Sequence, residues 1–258
     1  MNKAKSFYDK GLPNIEIPTL QGMLIVVEGS DGAGRSTQIN FLSDWLQWKG
    51  YPTVTVGLKR SELVGEALIE AMQGHTLMPT TLSLFYATDF ADQLERVIIP
   101  SLKAGFIVLA DRYIYTLMAR DLVRGRTLEW LKDLYGFALV PDAVFYLNVA
   151  PKVLADRNFQ KRGFLDYWES GMDIAREGNM YESFLEYQNN LHQTFKFLHC
   201  EYNFMTLNGM KKAQTIHRGI LSQVERLLGE KISPEKPNTS ILNVVGDKDF
   251  SNNPDISI

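Results

Sequence analysis

A glycine-rich run near the N-terminus carries residue types that bind phosphates. Residues 23–37 read MLIVVEGSDGAGRST, an apolar strand pattern followed by glycines and the start of a helical pattern. Gly29, Gly34 and Ser36 stand at fixed positions of the phosphate-loop pattern G-x-x-x-x-G-K-[ST]. In such a loop, backbone N–H groups bind the phosphates and the serine hydroxyl binds Mg²⁺. The run predicts a triphosphate-binding loop that contains Gly29, Ser30, Asp31, Gly32, Ala33, Gly34, Arg35, Ser36 and Thr37.

One fixed position of the pattern differs, because Arg35 stands where a lysine is expected. Arginine keeps the positive charge and offers planar donors that suit phosphate, although its side chain is longer. We expect Arg35 to contact the β- and γ-phosphates and to act in catalysis. Two alternatives stay open: an ordinary strand–turn–helix whose glycines serve only the turn, and a relic loop that no longer supports catalysis.

A second acidic position follows another apolar run, FIVLADRY, at residues 106–113. Asp111 follows the apolar residues at the carboxyl end of this predicted strand. We expect its carboxylate to lie near the magnesium ion, opposite the phosphate loop. Arg112, beside it, is a candidate for binding a second phosphate. The alternative is an Asp-Arg pair that only caps the next helix.

Short apolar runs alternate with helical patterns through the middle of the chain. The candidate strands are the continuous apolar runs at 24–27, 53–56, 106–110, 143–147 and 204–207. Continuous rather than alternating runs are typical of parallel strands that are covered on both faces. The pattern predicts a doubly wound α/β fold, in which ligands bind at the carboxyl ends of the strands.

Composition restricts the class of protein further. The 258 residues are 45% hydrophobic, and the net charge of −3 indicates neither a nucleic-acid nor a membrane partner. The single cysteine, Cys200, excludes an intramolecular disulfide, and the first residues lack a signal-peptide pattern, so we expect a cytoplasmic protein. We predict an N-terminal extension at 1–21, one domain at 22–230 and a flexible C-terminal tail at 231–258.

Together, the two phosphate-related runs resemble the thymidylate kinase family of nucleoside monophosphate kinases. The matching residues are EGSDGAGRSTQ at 28–38 and DRY at 111–113, and the resemblance extends over about 23–230. It implies a P-loop NTPase-type fold with a five-stranded parallel sheet and a helical lid. It also implies ATP as the phosphoryl donor, a nucleoside monophosphate as the acceptor and a homodimer. The predicted magnesium ligands are Ser36, Glu28 and Asp111.

The resemblance also assigns acceptor-binding roles. Asp31 matches the aspartate that contacts the 3′-hydroxyl of the acceptor sugar, and Tyr86 takes the place of the aromatic ring that stacks on the base. Arg60, in the run LKRSELVGE, and Arg112 match arginines that bind the acceptor phosphate. The predicted acceptor site contains Asp31, Arg60, Tyr86, Phe90, Arg112, Tyr113 and Arg120.

A basic segment, KVLADRNFQKRG at 152–163, resembles the lid of the family, which we place at about 152–175. Arg157 and Lys161 are four residues apart and share a helix face, with Arg162 beside them. The resemblance implies that the lid supplies catalytic arginines, since Gly32 occupies the loop position that some members fill with arginine. We predict Arg157 and Arg162 in this role; a solvated basic helix face is the alternative, above all for Lys161.

The base-reading positions differ from the family. Phe90 stands where the family has an arginine that hydrogen-bonds the base, and Arg120 and Asp121 replace an aromatic and an amide residue. A phenyl ring cannot donate a hydrogen bond, so we expect the base preference to differ. Arg120 and Asp121 are candidate new readers of the base; an exposed pair at a helix end is the alternative.

The sequence favours transfer of the γ-phosphoryl group of ATP, with Mg²⁺, to a deoxynucleoside 5′-monophosphate, either dTMP or a related pyrimidine nucleotide. Arg35, Asp111, Arg157 and Arg162 are the predicted catalytic residues. One alternative is a regulatory nucleotide-binding module without transfer. Another is a nucleoside kinase, although two phosphate-binding arginines would have no use with an uncharged acceptor.

Overall fold

Five parallel strands form the centre of the computed structural model, which describes residues 5–75, 77–175 and 178–232. The strands are β1 (Met23–Glu28), β2 (Thr53–Gly57), β3 (Ile107–Asp111), β4 (Ala143–Asn148) and β5 (Met205–Asn208). Their order across the sheet is β2-β3-β1-β4-β5. The predicted α/β fold with a five-stranded parallel sheet is confirmed.

The central strands β1 and β3 are buried along their whole length, as their continuous apolar runs predict. Their register pairs Val27 with Asp111. Asp111 is thus the last residue of β3 and lies beside the end of β1, where the glycine-rich loop begins. Parallel pairing therefore brings the two phosphate-related runs to the same edge of the sheet.

Helices cover both faces of the sheet. They are α1 (Arg35–Trp48), α2 (Gly65–Gln73), α3 (Pro79–Gln93), α4 (Ile99–Lys103), α5 (Ile114–Val123), α6 (Leu128–Tyr135), α7 (Pro151–Arg162), α8 (Met180–Tyr202) and α9 (Ala213–Ile232), with a π-helical turn at Leu94–Ile98. One core lies between the sheet and helices that include α3, α5 and α8, and the other lies beneath α1 and α9. The site is positioned by the loops between these layers.

The segment before β1 packs on the domain. Phe7 pairs antiparallel with Leu139, and the Tyr8 N–H donates to the Ala138 carbonyl at 3.0 Å. The predicted tail lies outside the described residues beyond Ile232. Among the helices that the structure describes, none is long and apolar enough to cross a membrane.

Candidate active site

The glycine-rich loop connects β1 to α1 at the carboxyl edge of the sheet. Gly34 is the N-cap of α1 with a φ of 95°, a left-handed conformation that glycine adopts without strain. No side chain caps α1, so its first-turn N–H groups are available to an anion. The loop itself comprises Gly29, Ser30, Asp31, Gly32 and Ala33, and the first turn of α1 contains Arg35, Ser36 and Thr37.

Arg35 turns toward the loop and the end of β3. Its Nε donates to Asp111 Oδ1 at 2.7 Å, and its Nη1 donates to the carbonyl oxygens of Gly29 and Ser30. Its Nη2 lies 3.4 Å from Asp31 Oδ1. Burial would lower the pKa of Arg35, but Asp111 and Asp31 raise it above the ordinary value, so the charge is fixed.

Asp111 and Ser36 offer two adjacent oxygen ligands. Ser36 Oγ donates to Asp111 Oδ2 at 3.0 Å. Burial would raise the pKa of Asp111, but the Arg35 guanidinium holds it below the ordinary value, so the carboxylate is ionised. A hydroxyl and a carboxylate suit Mg²⁺, which usually keeps only one or two protein ligands and completes its shell with phosphate and water. Among the described residues, no group of three or more His, Cys, Asp or Glu side chains is placed to hold a metal.

Glu28, the third predicted magnesium ligand, is bonded to α5. Its Oε1 accepts from the backbone N–H groups of Tyr113 and Thr116 at 2.9 and 3.3 Å, and its Oε2 accepts from the Thr116 hydroxyl. Burial raises the pKa of Glu28 to about 7. Both carboxylate oxygens of Glu28 are thus hydrogen-bonded to the start of α5, and these bonds connect the end of β1 to that helix.

Arg112 connects the phosphate loop to a second cleft. Its Nη2 lies 2.6 Å from Asp31 Oδ1 and 3.3 Å from Glu169 Oε1. Its backbone has a φ of 73°, a strained conformation for a residue with a side chain, and its N–H donates to the Val27 carbonyl at 3.0 Å. Burial would raise the pKa of Asp31, but the arginines, led by Arg112, hold it well below the ordinary value.

The second cleft is a cavity of about 390 Å³ beside the loop. Its charged lining comes from several elements: Asp31, Lys59, Arg112, Arg120, Arg162, Asp166 and Glu169. Aromatic side chains complete it, with His75 stacked on Tyr167 at a centroid distance of 3.8 Å and Trp168 donating to the Met72 carbonyl. A cleft with several basic side chains and flat aromatic walls suits a nucleotide with a phosphate.

Lys59, not the predicted Arg60, lines this cleft. Arg60 is exposed, and a Cβ at Gly57 would lie 3.4 Å from its Cζ, so its guanidinium folds back over β2. Asp89 on α3 holds the loop in this arrangement, since its carboxylate accepts from the N–H groups of Lys59 and Ser61 at 2.8 and 2.9 Å. Burial, with Arg120 and Arg112 nearby, lowers the pKa of Lys59.

The predicted lid arginines make different contacts. Arg157 on α7 donates to the carbonyl oxygens of Gly32 and Gly209, both at 3.1 Å. Asn158 donates to the Asp31 carbonyl at 3.0 Å. Arg162, at the end of α7, lies 3.4 Å from Asp31 Oδ2 and keeps 37% of its side chain exposed. Arg157 therefore holds the loop backbone, and Arg162 faces the cleft.

The predicted base-contacting residues separate into two groups. Tyr86 and Arg120 line the cleft, and Arg120 donates to Glu169. Phe90 and Tyr113 lie in the core, packed edge to face with centroids 5.0 Å apart. The position that the family resemblance linked to base reading is therefore part of the core here.

Sequence reasoning missed Lys59, Asn158 and the buried Glu169. Glu169 accepts from Arg112 and Arg120, so it lies at the centre of the cleft's ion pairs. Its acidic and aromatic neighbourhood, LDYWESGMD, was the available signal. For Lys59, the signal was only its position next to Arg60.

Comparisons with known proteins agree with this arrangement. Residues 27–220 match the family model described as thymidylate kinase. A probable thymidylate kinase 2 of Saccharolobus solfataricus is 36% identical over 83% of this chain and 98% of its own length. A probable thymidylate kinase of Thermococcus kodakarensis is 33% identical over 81% of this chain and 100% of its own length. A thymidylate kinase of Thermosipho africanus is 32% identical over 80% and 99%.

The matched region contains the phosphate loop, Asp111, Arg112 and the cleft residues, so one family model covers the whole site. The relatives are matched over nearly their full length. The predicted family is confirmed, and the chain belongs to the thymidylate kinase family.

Proposed function

We propose that the protein transfers the γ-phosphoryl group of ATP to a deoxynucleoside 5′-monophosphate, either dTMP or a related pyrimidine nucleotide. The position of Asp31 carries the proposal. Its carboxylate lies 3.4 Å from Arg35 of the phosphate loop and 2.6 Å from Arg112 of the cleft. The predicted triphosphate site and the cleft thus share one wall, which supports a donor and an acceptor that bind side by side.

The donor side consists of the loop 29–34, the first turn of α1 and Asp111. The α1 N-terminus and the Arg35 charge attract the triphosphate. Ser36 and Asp111 would hold Mg²⁺, which supplies charge neutralisation for the phosphates. Asp111 Oδ1 accepts from Arg35, and Asp111 Oδ2 accepts from Ser36. The same carboxylate would therefore position both the Arg35 guanidinium and the Mg²⁺ ion.

The acceptor side consists of Lys59, Arg112, Arg120, Glu169 and the other residues that line the cleft. Arg112 Nε is buried and has no hydrogen-bond partner among the described residues. Lys59 forms no ion pair within that part of the chain, and burial, with Arg120 and Arg112 nearby, lowers its pKa. A dianionic phosphate would satisfy both groups, so we assign the acceptor phosphate to Lys59 and Arg112.

An acceptor phosphate oxygen needs no general base. The second pKa of a phosphate monoester is about 6, so the oxygen is largely ionised near neutral pH. The protein then has to align the two phosphates and stabilise the charge of the transferring group. Arg162 is placed to contribute, because it faces the cleft from α7 and its partner Asp31 lies between the two sides.

A panel of acceptors tests the proposal. The protein is incubated with ATP, Mg²⁺ and dTMP, dUMP, dCMP, dAMP, dGMP or thymidine, and diphosphate formation is followed. We expect turnover with a pyrimidine monophosphate and none with thymidine. Folded protein that turns over no acceptor but is stabilised by ATP would indicate a binding module. Turnover of thymidine alone would indicate a nucleoside kinase.

The homodimer and the cytoplasmic location that the sequence predicts are further proposals. Light scattering of the purified full chain at several concentrations would measure the first, and fractionation of the source cells would measure the second.

A further inference from the structure

One side of the acceptor cleft is formed by a segment that is neither helix nor strand. This wall segment, residues 167–174, lies between α7 and α8 and consists of consecutive turns. It contains Glu169, whose carboxylate accepts from Arg112 and Arg120. Turn hydrogen bonds are local and do not attach a segment to the rest of a domain. Contacts from neighbouring elements therefore have to fix the position of Glu169.

Side chains of α8 hold the wall segment by donating to its backbone. Gln188 Nε2 donates to the carbonyl oxygen of Glu169 itself at 2.8 Å, and Ser183 Oγ donates to that of Ser170 at 2.7 Å. Gln188 is 1% exposed, so water does not compete for its bond to Glu169. The backbone position of Glu169 thus depends directly on Gln188.

Arg124, directly after α5, holds the other end of the wall segment. Its Nε and Nη2 donate to the two carboxylate oxygens of Asp173 at 2.7 and 3.0 Å. Its Nη1 donates to Tyr187 Oη on α8 at 2.6 Å and to the carbonyl oxygen of Arg120 at 3.1 Å. The ion pair is largely buried, with side chains that are 4% and 14% exposed. Such a two-point, charge-assisted pair restricts geometry more than a single hydrogen bond does.

We propose that Gln188 and Arg124 are positioning residues for acceptor binding. Both act through Glu169, because they fix the wall segment that contains it. The Glu169 carboxylate in turn orients Arg112 and Arg120 before the acceptor phosphate binds. A site that is ordered in advance binds more tightly, since less side-chain freedom is lost on binding. The inference rests on the proposed function, because it concerns affinity for that acceptor.

The charge of Glu169 makes its position important. Burial would raise the pKa of Glu169, but Arg120 and Arg112 hold it below the ordinary value, so the carboxylate is ionised. An ionised carboxylate attracts the two arginines and repels a phosphate, so its displacement changes the field that the phosphate meets. Gln188 and Arg124 are not among the described residues that line the cleft. An effect of either residue on acceptor affinity therefore has to pass through another group.

Isothermal titration calorimetry of the full chain with dTMP, in the absence of ATP, tests the proposal without phosphoryl transfer. Gln188→Met keeps a similar volume but removes the donor, so we expect the Kd for dTMP to rise about tenfold. Arg124→Lys keeps the charge but loses the two-point pair, and should raise this Kd about threefold to tenfold. The Kd for ATP alone should stay within about twofold of wild type in both variants. Gln193→Met, an exposed position on α8, and Arg218→Lys, an exposed position on α9, are the matched controls.

A double-mutant cycle with Glu169→Gln separates positioning from a general structural role. If Gln188 acts through Glu169, adding Gln188→Met to Glu169→Gln should change the Kd for dTMP by less than about twofold. Fold-changes that multiply would overturn the proposal. Equal losses of dTMP and ATP affinity in Gln188→Met, or tighter binding of dTMP, would overturn it as well. If Glu169→Gln does not fold, the comparison of dTMP with ATP in the single variants still decides.

The result is distinct from that of the transfer assay. A wild type that binds dTMP but transfers no phosphate would contradict the proposed function and leave the positioning roles in place. A wild type that transfers phosphate, while Gln188→Met and Arg124→Lys keep its Kd for dTMP, would contradict the inference alone. If dUMP or dCMP binds the wild type more tightly than dTMP, the same comparisons are made with that nucleotide. A wild type that binds none of the three would contradict both.

Discussion

The donor side and the acceptor side of the site bind their ligands by different means. On the donor side, a loop and a helix N-terminus present backbone N–H groups, and Arg35 is fixed by Asp111 and two loop carbonyls. On the acceptor side, side chains from α5 and from the segments that follow β2, β3 and α7 converge on one cleft. Backbone recognition depends on local spacing, whereas side-chain recognition depends on how distant elements pack.

The two sides also differ in how their charges are balanced. Arg35 has carboxylate partners on two elements, Asp31 and Asp111. In the cleft, Arg112 pairs with Asp31 and Glu169, Arg120 pairs with the same Glu169, and Lys59 has no ion pair among the described residues. The side chains of the donor side are therefore ordered before a ligand binds. On the acceptor side, the charge of Lys59 is left without a partner in the part of the chain that the structure describes, and can bind a phosphate.

Asp111→Asn should have the largest effect, because Asp111 orders the whole donor side. Arg35 and Ser36 donate to different oxygens of Asp111, and an amide keeps only one accepting oxygen, so one of these two bonds is lost. An amide is also a poorer magnesium ligand than a carboxylate. We expect kcat to fall about 10²- to 10³-fold with ATP and dTMP. Asp44→Asn, an exposed acid on α1, is the control and should stay near wild type. A fall of less than tenfold in Asp111→Asn would mean that the donor side does not depend on this carboxylate.

The next test separates the charge of Arg35 from its geometry. Arg35→Met removes the cation next to the phosphates, and we expect kcat to fall about a hundredfold. Arg35→Lys keeps the charge but loses the bonds to the Gly29 and Ser30 carbonyls, so we expect activity within about tenfold of wild type. Both variants are followed by steady-state kinetics and thermal unfolding. Equal losses in the two would show that the planar guanidinium, and not its charge, is what the donor side needs.

Most of the donor side could be predicted from the sequence because its spacing is local. The strand, the glycines and the first turn of α1 are consecutive, and parallel strands bring Asp111 to the same edge. The acceptor side was harder, since Glu169 lies 57 residues from Arg112 along the chain. The choice between Lys59 and Arg60 depends on Asp89, a residue of α3, and on the φ of 62° at Lys59. Neither the position of Asp89 nor the backbone conformation of Lys59 can be predicted from the residues around Lys59 and Arg60.

Lys59 and Arg60 offer a matched pair on the acceptor side. Lys59→Met removes a cation from the cleft, so the KM for dTMP should rise about tenfold or more while the KM for ATP changes little. Arg60→Met removes an exposed neighbour of the same charge and should change both values by less than about twofold. A larger rise in Arg60→Met than in Lys59→Met would reverse the assignment of the acceptor phosphate.

Glu28 connects the two sides of the site. We expect its titration to change the free energy of unfolding more than it changes kcat. Burial raises its pKa from 4.5 to about 7, so between these values the native protein holds a proton that the unfolded chain lacks. The free energy of unfolding should therefore fall as pH rises through this window, by about 3 kcal/mol in total from this group, and level off above it.

Glu28→Gln isolates this contribution. Glutamine mimics the protonated acid, since its oxygen can accept from the N–H groups of Tyr113 and Thr116 while its amide donates to the Thr116 hydroxyl. In urea unfolding at several pH values, the variant should lack the fall and be more stable than wild type at pH 8. Glu225→Gln, an exposed position on α9, should keep the wild-type profile. If the free energies of unfolding of wild type and Glu28→Gln differ by the same amount between pH 4.5 and about 7, Glu28 does not hold its proton in the native protein over this range. The native carboxylate would then be ionised. The junction of the two sides would then be held by a permanent charge at the start of α5, and not by a neutral hydrogen-bonding group.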